Sequence, residues 1–216
     1  MNSLYQLLET YLLVLVHPFR IHQQFRYNVP LPNHDGQFYK PLTLAESLGI
    51  SWIFAIIRGL GKIIILNFFV QTFLSMQSET FPFLQEFLQS SSSSTYYFLL
   101  FSAALDIIFF PIATIVLTEV WAWLIKKYAE WLNPELPAEE IADQITTHAL
   151  SSHVFNIIPF IGDIIQSISY FFLLYAGLRS NLGASRSLAL VILMTPTVFL
   201  LMLLSMFFVG FFYLVG

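Results

Sequence analysis

Three long apolar runs decide most of what this chain can become. Residues 49–76 (GISWIFAIIRGLGKIIILNFFVQTFLSM), 96–127 (YYFLLFSAALDIIFFPIATIVLTEVWAWLIKK) and 187–215 are each longer than the ~20 apolar residues a helix needs to cross a hydrocarbon core. In such surroundings only a helix or a closed barrel satisfies its own backbone groups, and runs of this length are helical. Composition agrees: 57% of residues are hydrophobic and only 10% charged, too few charges to coat a water-soluble globule. An all-α, polytopic membrane bundle is expected. The nine Lys and Arg are scattered and the net charge is −4, so no basic stripe exists for nucleic acid. Cysteine is absent, which removes disulfides, thiolate metal sites and palmitoylation together.

The N-terminal MNSLYQLLETYLLVLVHPFR has its first basic residue, Arg20, after the apolar part and no small-residue cleavage site, so it is expected to be retained. Leu4, Leu8, Tyr11, Leu12 and Leu15 share one helical face, opposite Gln6, Glu9 and Thr10. A run this short suits an amphipathic helix lying in the headgroup plane. With the proline-rich stretch that follows, residues 1–47 read as an interfacial helix and loop, and residues 48–216 as the membrane bundle. Between the first two spans, QSETFPFLQEFLQSSSSST holds Glu79 and Glu86 but no Lys or Arg, and its serine run predicts a flexible outer loop. Arg20, Arg26 and Lys40 before the first span, and Lys126 and Lys127 after the second, place the N-terminus on the cytoplasmic side.

Residues 138–150 (AEEIADQITTHAL) carry Ile141, Ile145 and Ala149 on one face, again an amphipathic pattern. They lead into VFNIIPFIGDIIQSISYFFLLYAGLR, residues 154–179. A single crossing there would strand Arg179 and Arg186 outside. A hairpin that turns near Pro159 and Gly162 returns both to the cytoplasmic side, and that reading is preferred, giving about five membrane segments. Pro111 and Pro196, within the second and last spans, are further candidate helix breaks.

Charges inside spans need partners or water. Arg58, Lys62, Asp106, Glu119 and Asp163 qualify, and helical rise puts Lys62 ~20 Å and Asp106 ~15 Å from the outer ends of their spans, so these two are the expected pair. RGLGK, residues 58–62, lacks the spacing and strand context of a phosphate loop; its glycines suit close helix packing. Glu139 and Glu140 with His148, His153 and Asn156 do not make a metalloprotease: the histidines are five apart and point ~140° from one another. Ser151 and Ser152 have no nucleophile elbow. No catalytic, metal or cofactor site is expected. Trp52, Trp121, Trp123 and Trp131 fall near span ends, as headgroup-level anchors do.

The stretch NIIPFIGDIIQSISYFFLLYAGLRSNLGASRSLALVILMTP, with a Pro-x-x-Gly turn before a span ending in Gly-Leu and a short polar loop before the last span, resembles the C-terminal half of the Yip domain family. HPFRIHQQF, ahead of the first span, is similar to the family's approach to the membrane. The resemblance implies a five-segment α-helical membrane domain with a cytoplasmic N-terminus. In eukaryotic members it would imply Rab-type GTPase partners and vesicle traffic. The short region before the first span departs from those members and favours a compact, bacterial-type one, which implies a bacterial inner membrane as its location. The expected role is therefore a non-enzymatic membrane organiser or adaptor, with the lipid bilayer and other membrane proteins or further copies of itself as partners. The competing readings are a transporter or channel component built on the intramembrane charges and, far behind, a membrane-embedded hydrolase.

Overall fold

The computed structural model describes residues 4–27, 39–77, 82–158 and 161–215. Those residues are helical almost throughout, with no strand among them. In chain order they form α1 (Leu4–Val16), α2 (Pro18–Tyr27), α3 (Leu44–Gln77), α4 (Pro82–Leu132), α5 (Ala138–Ala149), a 3-10 helix (Leu150–Ile157), α6 (Gly162–Ser180) and α7 (Arg186–Val215). Parts of α3, α4 and α7 are long and apolar enough to cross a membrane: Leu44–Ile65, Leu100–Leu132 and Arg186–Val209. This is a helical membrane protein.

Local chemistry explains where several elements start. Thr43 and Glu46 form a capping box at the head of α3: the Thr43 N–H donates to Glu46 Oε2 at 2.8 Å, and the Glu46 N–H donates to Thr43 Oγ1 at 3.3 Å. α4 opens on Pro82, tolerated in a first turn where its missing donor costs nothing. Its 51 residues extend about 76 Å, far more than a bilayer is thick. The expected flexible loop is thus helical from residue 82 onward and passes through the serine run, since serine is a middling helix former and Phe83, Leu84, Phe87 and Leu88 precede it. Pro111 and Pro196 do not end their helices; α4 and α7 run through them. Gly162 does mark a start, as the first residue of α6, while Pro159 lies outside the described residues.

The core sits at one end of the bundle. Val14 of α1, Ile21 of α2, Ile125 of α4, Ile145 of α5, Leu174 and Leu178 of α6 and Ile192 of α7 meet there, each inaccessible to solvent. Trp121, expected among the headgroup anchors, belongs to this core, while Trp123 and Trp131 are exposed. The other end is apolar and open: every residue of α7 from Thr197 to Val209 is exposed, as are Ile64 and Phe68 of α3 and Phe101, Ile108 and Phe109 of α4. Apolar surface on this scale would drive aggregation in water, whereas lipid tails solvate it.

α1 and α5 differ most from their sequence reading. The inward face of α1 is Thr10, Tyr11 and Val14, whereas Leu4, Leu8, Leu12 and Val16 form an outward apolar stripe; Leu15 is only partly buried. Tyr11 therefore leaves the expected interfacial face. Its hydroxyl bonds Leu150 O at 2.6 Å and Ser51 Oγ at 2.9 Å, tying α1 to the 3-10 helix and α3. α5 buries Ile141, Ile145 and Ala149 as expected, but Thr146, Thr147 and His148 are buried too, so its second half is enclosed by protein rather than lying on a surface.

Candidate functional site

The charged residues of the spans divide into one cluster and two outliers. At the cluster's centre is Asp163, in the first turn of α6, where a helix N-terminus favours a carboxylate. A tight turn delivers it there: an added Cβ at Gly162 would run into the Phe155 carbonyl oxygen, so only glycine lets α6 fold back against the 3-10 helix. Arg58 and Lys62, one turn apart on α3, reach the carboxylate from the other side. Arg58 Nη1 donates to Asp163 Oδ1 at 2.7 Å and Lys62 Nζ lies 3.5 Å from Oδ2, so each carboxylate oxygen faces one cation. The Lys62 contact is an ion pair at the edge of hydrogen-bond range.

Lys62 therefore meets Asp163, not Asp106. The reason is helix rotation. α3 and α4 approach closely at Gly59, where an added Cβ would fall 2.7 Å from Ile107 Cδ1, so α4 turns Ala103 and Ile107 toward α3 and leaves Asp106 exposed. Asp106 takes part in no ion pair among the described residues. Glu119 also stands apart, on the wall of a separate groove between α4 and α5. Beside the cluster, a cavity of about 20 Å³ touches Lys62, Asp163 and Asn156, room for one water. Asn156 is buried and its Oδ1 has no hydrogen-bond partner among the described residues.

Chemically the cluster holds two cations on one anion and is partly open, with side-chain exposures of 21% for Arg58, 42% for Lys62 and 48% for Asp163. It locks the α6 hairpin to α3. It presents no nucleophile paired with a base, and no three His, Asp or Glu side chains among the described residues are grouped to hold a metal ion.

A second polar site was not anticipated from the sequence. His22 of α2 and His148 of α5 pack edge to face, ring centroids 5.5 Å apart, and Phe25 stacks on His148 at 4.9 Å. Gly177 of α6 admits this contact: an added Cβ would fall 2.7 Å from Ile145 Cγ2 and 3.2 Å from His22 Nε2. The Leu42 N–H donates to His148 Nε2 at 3.4 Å, which leaves the ring proton on Nδ1, bonded to Gln144 O. Burial pushes the His148 pKa down to about 4 and lowers that of His22 well below its ordinary value, with His148 adding to the effect. Both rings are neutral at pH 7. His153 is elsewhere, edge-on to Phe110, and does not join His22 and His148. The alternating aromatic and histidine residues of FRIHQQF were the available signal, but nothing in the sequence names their partner on α5.

Comparison of the chain with protein-family models, with curated proteins and with solved structures finds no match.

Proposed function

We propose that this chain is a non-enzymatic membrane organiser of Yip type, with five membrane segments and a cytoplasmic N-terminus, acting through lipid or neighbouring membrane proteins rather than through turnover. The observation that carries this reading is the clamped α1. Tyr11 fixes the helix to the bundle, and Leu4, Leu8, Leu12 and Val16 are left as an apolar stripe facing away from the protein. A rigidly held apolar stripe inserts into a headgroup layer at a set depth. Besides α3, α4 and α7, the remaining two segments are the arms of the hairpin formed by the 3-10 helix and α6. Its shortness is met by the turn lying within the bundle, where Arg58 and Lys62 hold Asp163.

The transport reading rests on the same three charges, half-open and beside a water-sized cavity. Reconstitution into phospholipid vesicles separates the two. Wild-type protein should change vesicle size or shape, and Leu8→Gln with Leu12→Gln should abolish that change while the spans stay inserted. Each lost apolar contact is worth about 1.5–3 kcal/mol when fully buried. Ion flux that disappears in Arg58→Gln with Asp163→Asn, together with unaltered vesicles, would replace the organiser with a transporter.

A further inference from the structure

The groove that holds Glu119 has the features of a binding site. It lies between the Lys40–Leu44 segment, α4 and α5, with a volume of about 790 Å³, within the range of sites for small organic molecules. Both walls are fixed. The Leu42 N–H is held by His148 and the Thr43–Glu46 capping box sets the first wall, while the Lys126–Glu139 ion pair ties α4 to α5. Four carboxylates line it: Glu119, Glu139, Glu140 and Asp143. Glu139 is taken by Lys126, and Glu140 accepts from Gln144 Nε2 at 3.1 Å. The Glu119 and Asp143 carboxylates make no ion pair or hydrogen bond among the described residues. Burial, and then the neighbouring Glu139 and Glu119 carboxylates, raise the Asp143 pKa against the opposing effect of Lys126, so a cation beside Asp143 would be favoured.

A second observation is independent of the charges. Thr118, also lining the groove, is only 3% exposed and its Oγ1 has no hydrogen-bond partner among the described residues. Such a group costs free energy unless something reaches it. No three carboxylates among the described residues are grouped to hold a metal ion, which favours an organic cation as the complement to the groove. Lys40 contributes a single positive charge to the same lining, which would complement an anion carried by the same ligand. Thr118 and Glu119 belong to a segment long and apolar enough to cross a membrane, so a lipid headgroup is a ligand within reach of the groove.

We infer that the groove between α4 and α5 binds the headgroup of a phospholipid bearing a primary ammonium, with the ammonium at Glu119, Asp143 and Thr118 Oγ1 and the phosphate at Lys40. A primary ammonium donates three hydrogen bonds, whereas a quaternary one donates none. Phosphatidylethanolamine is therefore selected over phosphatidylcholine. This inference needs only that the protein sits in a membrane and is independent of the organiser reading.

The full chain, purified in detergent and exchanged into bilayer discs containing equal amounts of phosphatidylethanolamine and phosphatidylcholine, is analysed for retained lipid by native mass spectrometry. Phosphatidylethanolamine should be retained about tenfold over phosphatidylcholine. Soluble glycerophosphoethanolamine should compete it off. Glu119→Gln with Asp143→Asn should erase the preference, and Asp106→Asn, about 20 Å away along α4 and outside the groove, should not. The paired change removes like charges and should fold; if it does not, Thr118→Val, close to isosteric, should lower the preference instead. Equal retention of the two lipids, or a preference that survives these changes, overturns the inference. So does spermidine displacing the phospholipid where glycerophosphoethanolamine fails, which would make the ligand a free polyamine.

Discussion

Asp163 shows what a membrane charge does when three elements converge on it. Its two oxygens are held by Arg58 and Lys62, and removing it would leave two cations without a counterion inside the bundle. Asp163→Asn should therefore destabilise the protein, and in a double-mutant cycle with Arg58→Gln the coupling should be about 1 kcal/mol, discounted because all three groups are partly exposed. Asp106→Asn should couple to neither, and chemical denaturation in detergent checks both expectations. The five charges could be read from the sequence because ionisable residues in apolar runs are conspicuous. Their pairing could not, because depth along a helix is readable but rotation about its axis is not. Gly59 sets that rotation by admitting Ile107.

His148 gives a pH dependence of known sign. Its pKa in the folded protein, about 4, lies below the ~6.5 of an unfolded histidine, so the unfolded chain binds more protons between these values. The stabilisation from keeping the ring neutral is fully present above pH ~6.5 and is lost as pH falls toward 4. The single group accounts for roughly 3 kcal/mol, and His22, lowered in the same direction, adds to it. Denaturation midpoints measured from pH 7.5 to 4.5 should fall steeply, and His148→Gln should flatten the curve. An unchanged slope would show that these rings do not control acid stability.

Among the elements, α1 and the hairpin each hang on one small group. Tyr11→Phe deletes only a hydroxyl, yet that hydroxyl joins α1 to Ser51 and Leu150. The expected cost is about 1–2 kcal/mol, seen as faster protease cleavage of the N-terminal helices with the spans intact. Gly162→Ala forces a methyl toward the Phe155 carbonyl and should destabilise the turn more than Gly61→Ala, where nothing lies within 4 Å of the added carbon. Helix positions were largely legible because apolar length and Pro–Gly punctuation are local signals. The face each helix turns inward was not, since protein and lipid both accept apolar side chains. In α1 this hid that Tyr11 turns inward while Leu4, Leu8 and Leu12 keep the outward face. The start of α4 was missed for a different reason: a serine run reads as loop by composition, although nothing in it forbids a helix.

For the whole molecule, the charge distribution and the fold bear on one question, which side of the membrane each connection faces. Three helices, α3, α4 and α7, have the length and hydropathy to cross a membrane, and the core end gathers α1, α2, α5 and the loop between α6 and α7. The hairpin reading requires residues 133–137 and 181–187 to lie on the same side, with the start of α4 opposite. Because the chain has no cysteine, single cysteines introduced at Ser92, Glu135 and Ser187 report side without background, and Glu135 and Ser187 are exposed. In intact cells, a membrane-impermeant maleimide should label Ser92→Cys alone, with Glu135→Cys and Ser187→Cys reacting only after permeabilisation. Labelling of Ser187→Cys but not Glu135→Cys in intact cells would mean that the chain crosses once between them, and would contradict the hairpin.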